Sequence, residues 1–225
     1  MAKKSENGGR KARRERKFPA LSFQDALALA LALQEHASGH RVRRLTMFEK
    51  MNQSPDSQPT RQLITASGQY GLSKGGYMAD FLELTEDGAL ASDPDSPVRK
   101  QLQIRFKLAI ETQPPFFFLY EKMKGSKLPA KEVLADYLTE SHLIEDGDIA
   151  ECIDTFVVNA KFLGLLRTIA GSERLISIDQ LLDETPALAH LRLNRIKAPP
   201  LAKTYRPLSR LPPIVDRTSR KCAFM

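Results

Sequence analysis

Arg61, Thr65 and Gln69 stand four residues apart, a spacing that stacks them on one face of a helix while Leu63, Ile64 and Ser67 take the other. Gln58 and Gln62 flank that line. Arginine can hold guanine and glutamine can hold adenine bidentately in the major groove of a duplex, each pair discriminating by about 1–3 kcal/mol. Arg41, Arg43 and Arg44 precede this segment, and Lys74 and Tyr77 follow it, all of types suited to phosphate contacts. No acid lies between Arg61 and Lys74. The same residues would also serve as an ordinary solvated polar helix face.

Other groupings offer less chemistry. His36 and His40 share helical spacing for a metal, but Gly39 interrupts the helix and no third ligand follows. Glu145-Asp146-Gly147-Asp148 has calcium-loop composition without the alternating ligands or terminal Glu of an EF-hand, and reads better as turn and cap chemistry. Phe116-Phe117-Phe118 with Tyr120 can stack bases, yet in a helical stretch such a run is core. There is no Gly-rich phosphate loop, no Gly-x-Ser-x-Gly and no Cys/His pair with nucleophile logic. The expectation is a non-enzymatic protein with no cofactor and no metal. Cys222-Ala223-Phe224-Met225 fits a C-a-a-X ending, which we read as chance.

The elements that must carry these residues are helical for the most part. Ser22-Phe23-Gln24-Asp25 is a capping-box variant opening a helix to about His36–Gly39. Ala and Leu alternate through residues 26–33 with the period of a strand but the propensity of a helix. A second helix runs over residues 43–51 with Leu45, Phe48 and Met51 on one face. After the turn cluster of residues 52–57, a third starts at Pro59 and stops at Gly71. Residues 77–85 alternate as a strand, Glu86-Asp87-Gly88 is a hairpin turn, and residues 89–91 return.

The second half repeats the order. Helices fall over residues 102–112, 116–123, from Leu128 onward, and from a cap at Asp148 to Phe162 with Gly164 behind it. Two short strands, 165–169 and 174–178, follow. Its last helix presents Asp148, Glu151 and Asp154 with Lys161 the only base. Cys152, Ile153, Phe156, Val157 and Ala160 form a broad apolar surface, for a partner protein or second copy or, equally, for the first half of the chain.

Of the 225 residues 42% are hydrophobic, enough for a core, and no apolar run reaches membrane-spanning length. The net charge of +7 is unevenly divided. Residues 1–17 hold eight basic and two acidic side chains, residues 191–225 nine and one, and residues 18–190 seventeen and twenty-four. Two basic tails thus flank an acidic body. The first has the composition of disorder and the last, with Pro199, Pro200, Pro207, Pro212 and Pro213, that of an extended linker. Such tails attract phosphate from any sequence, or serve only as solubilising segments. Two cysteines, no signal-type segment and no spanning run lead to the expectation of a soluble cytoplasmic protein.

The segment Thr60-Arg61-Gln62-Leu63-Ile64, then Tyr70-Gly71-Leu72, then Phe81-Leu82-Glu83-Leu84-Thr85-Glu86-Asp87-Gly88 resembles winged helix-turn-helix domains, over about residues 22–92. Residues 100–180 resemble the same fold more loosely. The resemblance implies tandem winged-helix domains, 18–96 and 97–190, mainly α with small β-hairpins, between basic tails at 1–17 and 191–225. It implies duplex DNA as partner, with Arg41, Arg43, Arg44, Gln58, Arg61, Gln62, Thr65, Gln69, Lys74 and Tyr77 as contacts, a role of the transcription-regulatory kind, and a homodimer or protein partner through the second domain. The arrangement is also similar to the N-terminal part of bacterial multidomain proteins in which paired winged helices precede an α/β effector. On that reading the chain is a protein-interaction or sensor module, the regulatory part of a truncated effector.

Overall fold

Burial explains why residues 26–33 form a helix despite their strand-like alternation. In α1 (Phe23–Ala37) Phe23, Ala26, Leu27, Leu29, Ala30 and Leu33 are all buried, which needs apolar residues around most of the helix and not along one stripe. Ser22 caps its start, accepting from the Asp25 N–H at 3.2 Å, and Ser38 ends it in the left-handed conformation. The computed structural model describes residues 16–169 and 171–188. The expectations for both basic tails, up to Glu15 and from Leu191, and for the Cys222 ending, lie outside the described residues.

The described chain is mainly helical with small antiparallel sheets. After α1 come β1 (Val42–Arg43), α2 (Arg44–Lys50), α3 (Gln58–Gln69), β2 (Ser73–Lys74), β3 (Phe81–Leu84) and α4 (Glu86–Ser92). The sheet order is β1-β3-β2, with Val42 opposite Leu82 and Ser73 opposite Leu84. Then follow α5 (Val98–Phe106), running on into a wider π-type turn at Lys107–Glu111, and α6 (Pro114–Met123). α7 (Lys131–Ser141), α8 (Ile149–Leu163), β4 (Leu166–Ile169), β5 (Ser172–Leu175) and α9 (Ile178–Leu188) complete it.

Three expectations need correction. The strand over 77–85 shrinks to β3, because its partners β1 and β2 are two residues each and the residues before it turn at Gly76–Ala79. Glu86-Asp87-Gly88 is not a hairpin turn, and residues 89–91 do not return as a strand. Thr85 Oγ1 accepts from the Gly88 N–H at 2.8 Å, capping α4, while Glu86 and Asp87 supply negative charge to its first turn. A Cβ on Gly88 would fall 1.9 Å from the Leu72 carbonyl oxygen, so only glycine lets α4 cross the chain entering β2. On α2, Leu45 points to solvent and Met47 enters the core beside Phe48.

Several hydrogen bonds of the first half have counterparts in the second. In each, the helix before the closing pair of strands, α3 or α8, is followed by a glycine with positive φ, Gly71 (74°) and Gly164 (77°). The following leucine donates back into the helix, Leu72 to Ser67 and Leu165 to Ala160, both at 2.9 Å. Its own carbonyl then accepts from the end of the last strand, from Thr85 at 3.1 Å and Ile176 at 2.8 Å. Lys127 bridges Arg174 as β1 bridges β3, and Ser177 accepts from Gln180 as Thr85 accepts from Gly88. α9, where the sequence suggested only a strand end at Ile178, is therefore the counterpart of α4.

One core joins the halves. Phe18, ahead of α1, packs on Phe116, which packs on Phe156; Phe23 meets Tyr70 edge-on at 5.2 Å and Phe162 at 6.1 Å. At its centre lies the buried Asn159. Its Oδ1 accepts from the Phe23 N–H at 2.7 Å, and its Nδ2 donates to the Tyr70 hydroxyl at 3.0 Å, which donates to the Leu21 carbonyl at 2.9 Å. Burial pushes the Tyr70 hydroxyl far above the ordinary tyrosine range, so it stays a donor.

Gly88→Ala should cost about 2 kcal/mol and lower Tm by about 4–8 °C, measured by thermal denaturation. Asn159→Leu strands the Phe23 N–H and should cost about 2–3 kcal/mol. A double-mutant cycle with Tyr70→Phe by urea unfolding should return a coupling of about 1 kcal/mol or more, whereas independent residues would add.

Candidate nucleic-acid interface

α3 owes its place to both its ends. Ser57 caps it, accepting from the Thr60 N–H at 3.3 Å, and Thr60 Oγ1 donates to the Ser54 carbonyl at 2.8 Å, tying the helix to the preceding turn. The helix begins at Gln58, one residue before Pro59. At the other end Tyr70 is locked to Asn159, and Gln113 Nε2 donates to the Gln69 carbonyl at 3.1 Å. Thr60, Leu63, Ile64, Ala66 and Ser67 face the core. Gln58, Arg61, Gln62, Thr65 and Gln69 are all exposed.

The exposed residues differ in freedom. The Arg61 guanidinium lies 5.9 Å from the Tyr77 ring centre, so the loop between β2 and β3 steadies it over the helix. Thr65 Oγ1 donates to the Arg61 carbonyl at 2.8 Å and offers a ligand its lone pairs. In that loop Gly75 has φ 104° and no room for a Cβ, 2.5 Å from the Phe81 carbonyl oxygen, while Met78 is 81% exposed.

The outer face of the three-stranded sheet adds cations. Arg41 stacks on Phe81 at 4.2 Å and Arg43 lies 6.0 Å from the same ring. Lys74 is exposed opposite Glu83. Arg41, Lys74, Gly75, Ala79, Asp80, Phe81 and Glu83 line a depression of about 370 Å³. Phe81 was legible in the alternation of β3, which turns Leu82 and Leu84 inward and Phe81 and Glu83 outward, but its role under two arginines was not.

Arg44 stands apart from the other expected contacts. Its side chain is 15% exposed, donating to the Pro55 carbonyl at 2.9 Å and pairing with Asp56 at 3.2 Å. It braces the turn between α2 and α3 and is engaged before any ligand arrives.

The corresponding face of the second half has opposite chemistry. Matching Gly164 to Gly71 puts Glu151, Asp154 and Val158 where Gln58, Arg61 and Thr65 stand. Each acid is paired: Glu151 with Arg16 at 2.5 Å, and Asp154 with Lys131; Lys161 meets Glu173 at 2.9 Å. Cys152, Ile153, Phe156 and Ala160, expected as an apolar surface, are buried within the chain. Phe156 packs on Phe116 of the same half, while Asn159 and Phe162 of this helix reach Phe23 and Tyr70 of the first half.

The remaining candidates are structural. Phe116 and Tyr120 are core, Tyr120 accepting from the Ile178 N–H at 2.8 Å, whereas Phe117, expected in the core with them, is exposed and Phe118 is half-buried. Burial pushes the Cys152 thiol up to about 12, out of nucleophile range. His36 and His40 are exposed, on either side of the left-handed turn at Ser38 and Gly39. Among the described residues no three His, Cys, Asp or Glu side chains are grouped to hold a metal, and no helix is long and apolar enough to cross a membrane. No family model, curated protein or solved structure matches this chain.

Proposed function

We propose that the protein is a non-enzymatic duplex-DNA-binding protein that inserts α3 into the major groove and sets the β2–β3 loop and sheet face against the backbone. The observation that carries this reading is the acid-free outer face of α3, with Gln58, Arg61, Gln62, Thr65 and Gln69 exposed and Arg61 steadied by Tyr77. The order α1-β1-α2-α3-β2-β3 with sheet order β1-β3-β2 supports a winged-helix module, and the repeated hydrogen bonds support a tandem pair. Arg41, Arg43 and Lys74 hold phosphates. The first half reads, the second half braces it, and the tails add sequence-independent affinity.

A second reading, a protein-interaction module, draws on the acidic character of residues 18–190, whose field opposes DNA. Electrophoretic mobility shift with residues 16–188 separates the two. Binding to duplex at low salt supports the first; no binding, with self-association in sedimentation, supports the second.

For the full chain, duplex affinity should fall steeply with salt, and deleting residues 1–15 should flatten that slope by about one for each phosphate no longer neutralised. Arg61→Ala should weaken a preferred site, selected from a randomised duplex pool, by about 1–3 kcal/mol more than random duplex. Equal weakening of both would remove its reading role. Arg43→Ala should lower affinity uniformly at unchanged Tm, whereas Arg44→Ala should destabilise the fold by about 1–2 kcal/mol.

A further inference from the structure

Two glycines lie inside the described α-helices, Gly68 in α3 and Gly88 in α4. Gly88 has an evident cause in the fold. Gly68 has none: its φ is ordinary for a helix, and a Cβ there would meet nothing nearer than the Ser73 carbonyl oxygen at 3.9 Å, an ordinary contact. Nor does Gly68 end the helix, since Gly71 makes the left-handed exit. Glycine is the poorest helix former after proline, so the fold would be better served by alanine at this exposed site.

Gly68 does belong to the face already described. Gln58, Arg61, Thr65 and Gly68 follow at intervals of three, four and three residues, a single line along the helix. The space a methyl would fill adjoins Ser73, and the next residue is the exposed Lys74. Resting on the DNA-reading assignment of α3, we infer that Gly68 is a close-approach position, where a sugar–phosphate strand of the bound duplex lies directly against the helix backbone with its charge met by Lys74. A side chain there holds that strand away from the helix backbone and from Lys74, and so weakens the phosphate contact at this end of the helix. Because the group that approaches is backbone and not a base edge, the effect is independent of sequence.

Full-length Gly68→Ala, Gly68→Leu and Arg61→Ala should be compared with the unsubstituted chain for thermal stability and for binding to a preferred duplex and a random duplex of equal length. Gly68→Ala should raise Tm by about 2–4 °C. It should weaken both duplexes by the same factor, about tenfold, with Gly68→Leu weaker still, while the weakening in Arg61→Ala falls mainly on the preferred duplex. A lower Tm for Gly68→Ala would mean that the fold requires the glycine, and would overturn the inference. So would unchanged affinity of Gly68→Ala and Gly68→Leu in a protein where Arg61→Ala still discriminates, and so would weakening confined to the preferred duplex, which puts a base edge at Gly68. No binding of either duplex by the unsubstituted chain at low salt overturns the reading of α3 itself, and this inference with it.

Discussion

The side chain of Asn159 is the constraint on which the architecture turns. It sits in α8, yet its two polar atoms serve the first half, one taking the Phe23 N–H at the start of α1 and the other reaching the Tyr70 hydroxyl at the end of α3. A buried amide is stabilising only when its partners hold their positions, because an unmet group in a dry core costs about 1–3 kcal/mol. The bond therefore fixes three helices in one register. Around it Phe23, Tyr70 and Phe162 close the gap with edge and tilted ring contacts. The orientation of α3, and of everything on its outer face, follows from that central junction.

The repeat gives this junction its meaning. Several hydrogen bonds of the first half have counterparts in the second, but the two helices so matched, α3 and α8, carry opposite chemistry. In the first, polar and basic residues without acids face outward while the inner face carries Leu63 and Ile64. In the second, the helix buries Cys152, Ile153, Phe156, Asn159 and Ala160 on more than one side, and its outward acids are matched by Arg16 and Lys131. A helix engaged on that many sides has little unpaired surface left for a ligand. The difference in exposed surface between α3 and α8 follows from where apolar and charged residues fall on the two helices.

Much of this was legible in the chain, for reasons that differ by element. α1 and α3 could be read because start and exit signals agree, Ser22 and Pro59 at the starts and Gly39 and Gly71 at the ends, although the cap of α3 proves to be Ser57. Glu86-Asp87-Gly88 misled because its composition suits a hairpin turn as well as a helix capped by Thr85, and the close pass of Gly88 over Leu72 depends on packing between separate segments. β2 has no local signal at all; Ser73 and Lys74 are a strand only because β3 runs beside them. Among the site residues, Arg43 and Arg44 are indistinguishable by composition, and only the nearby Pro55 carbonyl and Asp56 separate an exposed cation from a brace.

The proposed DNA-contacting surface is the outward line of α3 together with the β2–β3 loop and the outer sheet face. The direct test is a backbone amide NMR titration of the protein with duplex DNA at low salt. Shift changes concentrated at residues 58–69 and 73–81, with α8 unmoved, are the predicted result. Changes centred on α8 and β4–β5, or none in the first half, would contradict it.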